Sequence, residues 1–141
     1  MKKVLIITYY WPPAGGPGVQ RVLKFAKYLP EFGWQPVILT VQKGEYPAYD
    51  ETLLEDIPPG CRVYRTKSLE PGQAYKKFTG MNAADHIPVS VLTTGKTSWK
   101  DKLTHWIRLN LFVPDAKIGW MPFAVKEGKK IIRQEKPDII F

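Results

Sequence analysis

Four short apolar runs set the expected architecture. Val4-Leu5-Ile6-Ile7 is continuous rather than alternating. That predicts a strand covered on both faces, as in a parallel sheet. A second run spans 36–41, a third strand is predicted over 61–66, and Asp138-Ile139-Ile140-Phe141 starts a fourth. Between the first two, Val19, Val22, Leu23, Ala26 and Leu29 recur at helical spacing with Lys24, Lys27 and Glu31 opposite. A helix is therefore predicted over 19–32, with Gly33 as its stop. Asp50 is placed to cap a short helix over 50–57, which Pro58-Pro59-Gly60 ends. The last predicted helix covers 117–134, with Ile118, Met121, Val125 and Ile132 inward. Its basic side carries Lys126, Lys129, Lys130 and Arg133.

Two further stretches read differently. Residues 68–97 have no periodicity, which is long for a loop inside a compact domain. From Ser98 the helical period returns: Trp99, Leu103, Trp106, Ile107 and Leu111 share a stripe flanked by Lys100, Lys102, His105 and Arg108. Such a helix either packs on the domain or lies on an anionic membrane surface, with Trp99, Lys100, Lys102, Trp106 and Arg108 as the contacts.

The alternation predicts an α/β fold, a Rossmann-like parallel sheet with right-handed crossovers and helices on both faces. The fourth strand is expected beside the first. Ligands of such sheets bind at the carboxyl edge where strand order reverses. The segment following the first strand, Pro12-Pro13-Ala14-Gly15-Gly16-Pro17-Gly18, falls there. The prolines end the strand because neither can donate to a ladder. The glycines then allow either a tight connection or a close approach by a ligand. The following helix begins with no Asp or Glu in its first turn but with Arg21. A bare helix N-terminus with a guanidinium suits a phosphate, so Gly15, Gly16, Gly18 and Arg21 are the candidate anion-binding residues. The spacing is neither G-x-G-x-x-G nor a Walker loop. The second strand ends in Thr40, Val41, Gln42 and Lys43, without the acid a nicotinamide ribose needs.

Composition narrows the classes. The 141 residues are 44% hydrophobic, enough for one domain with a core and too many for disorder. A single cysteine, Cys61, excludes a disulfide framework and fits a reducing compartment. The apolar run after Met1-Lys2-Lys3 is too short for a signal peptide, and no run approaches the ~20 residues of a membrane span. Cytoplasmic placement, or a peripheral one on the inner membrane face, is the expectation. The formal net charge of +8 calls for anionic company. Basic and aromatic residues follow no nucleic-acid motif, so no nucleic acid is expected. His86 and His105 lack a carboxylate at catalytic spacing, Asp85-His86 is no metal motif, and Cys61 reads as a small core residue. No metal or cofactor is expected, and no catalytic residue is assigned.

Three stretches carry a resemblance. They are ITYYWPPAGGPGVQRVLKFAKYLPEFGWQPVILTV, LLEDIPPGCRVYRTKSLEP and WIRLNLFVPDAKIGWMPFAVKEGKKIIRQEKPDIIF, about two thirds of the chain. Together they resemble the N-terminal domain of a family 4-like glycosyltransferase of the GT-B fold, acting in polysaccharide or glycolipid synthesis. In that family two Rossmann-like domains face each other across a cleft, and the N-terminal one receives the acceptor. The resemblance implies that residues 1–141 are a single acceptor-side domain, incomplete at its C-terminus and without the donor domain. It implies a retaining transfer from a sugar nucleotide to a glycan or lipid-linked acceptor, with the glycines near the donor diphosphate. Asp115 and Trp120 fall in the family's Pro-Asp…Trp segment, on the acceptor side. Lacking half of its site, the chain is expected to be inactive alone, and to self-associate through a truncated sheet edge or fray at its last residues. The competing expectation is a non-enzymatic basic module that binds an anionic membrane or polyanion.

Overall fold

A computed structural model describes residues 1–44, 46, 48–69 and 117–141. The chain divides into two compact units, Met1–Ser68 with Trp120–Phe141, and Leu69–Gly119.

The first unit is an α/β layer structure. Strands β1 (Lys2–Ile7), β2 (Trp34–Val41), β3 (Arg62–Thr66) and β4 (Ile139–Ile140) form one all-parallel sheet in the order β3-β2-β1-β4. Leu5 lies opposite Val37 on one side and Ile140 on the other. The fourth strand is thus beside the first, as expected. Strand order runs one way from β1 through β2 to β3, then reverses to place β4 across β1.

Alternation along β1 explains its unbroken apolar run. Val4 and Ile6 join Trp11, Ala14 and the inward residues Val19, Leu23 and Ala26 of helix α1 (Pro17–Tyr28). Leu5 points to the other face, with Val37, Leu39, Val41 and Trp120, under Ala124 and Ile131 of helix α2 (Met121–Glu135). Each face needs its own apolar partners, and each fully buried Leu, Ile or Val contributes about 1.5–3 kcal/mol.

Helix α1 starts two residues before the predicted Val19, because Pro17 takes the first helical position, where no N–H is missed. It also ends sooner. Residues Leu29–Phe32 tighten into a 3₁₀ turn because Pro30 cannot make the i→i−4 hydrogen bond. Gly33 closes it in the left-handed region, at φ 77°. The short helix near residue 50 is a 3₁₀ helix, Glu51–Asp56, capped by Asp50, whose carboxylate accepts from the Thr52 N–H at 3.1 Å.

Helix α2 begins four residues later than predicted, after a 3₁₀ turn over Ile118–Trp120, and does not bury the predicted face. Ile118, Met121, Val125 and Ile132 are exposed, and the buried positions are Ala124, Gly128, Ile131 and Glu135. The reason is helical phase. Positions 124, 128, 131 and 135 share one side of the helix, where Gly128 lies against Leu39 and Ile131 is fully buried. Met121, Val125 and Ile132 lie on the flank. The basic residues Lys126, Lys129, Lys130 and Arg133 are exposed as expected.

Of the second unit, Leu69 and Lys117–Gly119 are described; the Leu69 N–H donates to the Gly119 carbonyl at 3.2 Å. The helix predicted over 98–111, with Trp99, Lys100, Lys102, Trp106 and Arg108, lies outside the described residues. So do His86, His105 and Asp115. Among the described residues, no helix is long and apolar enough to cross a membrane.

Candidate functional site

The chain leaves β1 at the carboxyl edge of the sheet, at the point where strand order reverses. The Thr8 N–H continues the ladder to the Leu39 carbonyl at 3.0 Å. The Thr40 hydroxyl then holds the Tyr9 carbonyl at 3.2 Å from the end of β2. Trp11 and Pro12 turn inward and are fully buried. Arg65 of β3 donates to the Pro12 carbonyl at 2.9 Å. The turn is therefore fixed from two strands, β2 and β3.

A second segment braces it. The Gly15 N–H donates to the Ala48 carbonyl and the Asp50 N–H to the Pro13 carbonyl, both at 2.9 Å, with an antiparallel bridge between Ala14 and Tyr49. Gly15 packs closely against this brace, since a Cβ there would stand in contact with Ala48 Cβ and Asp50 Cβ at 3.4 Å. Gly16 is explained by its backbone. At φ 100° and ψ 170° it occupies a region that is essentially glycine-only.

Gly18 has neither reason. Its φ is ordinary and nothing lies within 4 Å of where a Cβ would be. It sits in the first turn of α1, which has no acid and no side-chain cap. Pro17 has no N–H, so the amides of Gly18 and Val19 are the ones the first turn leaves without intrahelical partners. Arg21 is exposed in the following turn. Gly15 and Gly16 thus lie in the turn before α1, Gly18 in its first turn and Arg21 one turn further along.

Beside this turn runs an aromatic series that the periodicity reading passed over. Trp120, Tyr9, Tyr10, Tyr46 and Tyr49 meet edge to face or tilted, with ring centroids 5.3–6.2 Å apart. Trp120 is buried and donates to the Thr66 hydroxyl at 2.7 Å, which makes it the inner end of the series. Tyr49 is the outer end, 66% exposed. The signal was present as the doublet Tyr9-Tyr10 and the pair Tyr46 and Tyr49.

The other charged groups stand apart from the glycine turn. Glu135, almost fully buried at the end of α2, accepts from Tyr64 at 2.7 Å, Arg62 at 2.5 Å and Lys3 at 3.0 Å. Lys3 and Arg62 lie near the starts of their strands, so this cluster marks the amino edge of the sheet. The Tyr64 hydroxyl, Arg62 and Lys3 hold its carboxyl down at about 2. Asp56 pairs with Lys24 at 2.7 Å and with Lys27 on the solvent side of α1. Burial pushes the Cys61 thiol up to about 11, which suits a core residue rather than a nucleophile. Among the described residues, no group of three or more His, Cys, Asp or Glu side chains could hold a metal ion.

Comparison with protein-family models, with curated proteins and with solved structures finds no match for this chain.

Proposed function

We propose that this chain is the acceptor-side domain of a GT-B, family 4-like glycosyltransferase, and that the glycine turn after β1 receives the diphosphate of a sugar nucleotide. The observation that carries the reading is Gly18. It sits at the reversal point of a parallel sheet, in an uncapped first turn, with no packing or backbone need for a glycine. A bound phosphate supplies the need: a missing side chain lets its oxygens reach the free amides.

The chemistry follows from charge. Transfer of a glycosyl group breaks its bond to the diphosphate, and negative charge grows on the departing oxygen. The Gly18 and Val19 amides and the Arg21 guanidinium would stabilise that charge without rearranging, the usual largest contribution of a preorganised site. The acceptor's positioning is the second contribution.

Titration of the isotopically labelled chain with inorganic pyrophosphate tests the reading independently of the base. The amide signals of Gly16, Gly18 and Val19 should move together, and Gly18→Val should abolish the response. Movement at another location only, or liposome binding without pyrophosphate binding, overturns it in favour of the basic-module reading.

A further inference from the structure

We propose that the aromatic series ending in Tyr49 is the stacking subsite for a pyranose ring of the glycan acceptor. This rests on the transferase reading above and extends it from the phosphate to the acceptor.

Position comes first. The segment carrying Tyr49 is tied to the glycine turn by the Gly15–Ala48 and Asp50–Pro13 hydrogen bonds and by the Ala14–Tyr49 bridge. Phosphate-facing turn and aromatic surface therefore move as one piece. A ring resting on Tyr49 lies at the carboxyl edge of the sheet, where ligands of such folds bind.

Ring geometry favours a sugar over a nucleobase. A base is flat and is held best between parallel faces. Here Tyr46 and Tyr49 are inclined at 72°, Tyr9 and Tyr46 at 70°, and Tyr10 and Tyr46 at 52°. Among the described residues no two neighbouring rings of the series are parallel, so these rings form no flat slot between them. Inclined faces fit a puckered pyranose, whose C–H groups form an apolar face and whose hydroxyls project around it. Tyrosine offers both matching features, an apolar body and a polar tip. Tyr49, at 66% exposure, also presents more surface than its neighbours' packing uses, while Trp120 and Tyr9 anchor the series in the core.

Saturation-transfer NMR on the chain with methyl hexopyranosides provides the test, with pyrophosphate and uridine as separate probes. Saturation should concentrate on the ring C–H protons. Tyr49→Ala should weaken it by about five- to tenfold, what one aromatic contact is worth, and Tyr49→Phe should retain it. Pyrophosphate binding should be equal in all three proteins. Tyr49 is exposed and its bridge to Ala14 is made by backbone, so both variants keep the fold. No saturation of any hexopyranoside, equal saturation with Tyr49→Ala, or stronger transfer to uridine than to the sugars overturns the proposal. Failure of pyrophosphate alone overturns the transferase reading, and the sugar measurement still decides this one.

Discussion

Tyr64 donates its phenol hydrogen to the Glu135 carboxylate at 2.7 Å, joining the middle of β3 to the last residue of α2. Arg62 and Lys3 complete the set of donors, so a nearly buried acid ties two strands and a helix at the edge away from the glycine turn. A buried carboxylate is tolerated only with its charge balanced and its lone pairs filled, and both conditions hold here.

Glu135 therefore governs acid stability. Its folded carboxyl titrates at about 2 rather than the ordinary 4.5. A depressed acid stabilises the fold above its unfolded value, and that contribution disappears as pH falls through the folded value. Stability on the order of 2–3 kcal/mol should be lost between about pH 4.5 and 2. Glu135→Gln should flatten that part of the curve and cost about 2–3 kcal/mol at pH 7, since Lys3 and Arg62 keep access to water. Urea unfolding of both proteins across this range checks it. An unchanged acid limb in the variant contradicts the assignment.

The glycine turn offers a contrast between neighbours. Gly16→Ala forces a side chain into a glycine-only backbone region and should cost about 1–3 kcal/mol, although nothing crowds the new methyl. Gly18→Ala meets neither obstacle and should be neutral or stabilising by up to ~1 kcal/mol. Yet it should weaken pyrophosphate binding, because the methyl stands where the anion approaches. Thermal melts paired with a pyrophosphate titration separate the two effects. A Gly18→Ala protein that binds as well as the parent denies the turn its role.

Much of this was legible in the chain. Continuous apolar strands, prolines and glycines fix backbone options locally, so the parallel sheet, both long helices and the left-handed stop at Gly33 could be read directly. The inward face of α2 could not. Hydrophobicity marks residues that avoid water, whereas the side that meets the sheet carries Ala124, Gly128 and Ile131, with Met121 and Val125 off it. Glu135 was missed for a related reason, since its donors are brought together only by sheet registration, 71 and 73 residues from Tyr64 and Arg62. The cause behind each glycine was equally hidden. Gly15 packs against Ala48 and Asp50, which no local spacing reveals.

Cys61 should behave as an inert thiol. With burial raising it to about 11, the thiolate at pH 8 is only about one part in a thousand. Alkylation by iodoacetamide should be slow in the native protein and fast in denaturant, as intact-mass measurements over time would record. Rapid native labelling would place the thiol in a different environment.

The sheet edge at β4 makes the last prediction. Among the described residues β4 pairs with β1 alone, through the Val4–Ile139 and Leu5–Ile140 partners. Ile139 and Ile140 are half exposed at 51% and 53%, and Phe141 more so, its ring meeting Phe25 on the outer side of α1. Parallel sheets normally cover their apolar residues on both faces, and an open ladder adds unpaired N–H and C=O groups to that exposed surface. The chain should therefore self-associate as its concentration rises, through β4 laid against β4 of a second copy. A charge on that strand opposes such pairing with little effect on the protomer, because the side chain of Ile140 already reaches water. Ile140→Lys should shift the sizing-column profile toward monomer across a dilution series while leaving the melting temperature nearly unchanged. Identical profiles for the two proteins would mean that the β4 edge takes no part in association.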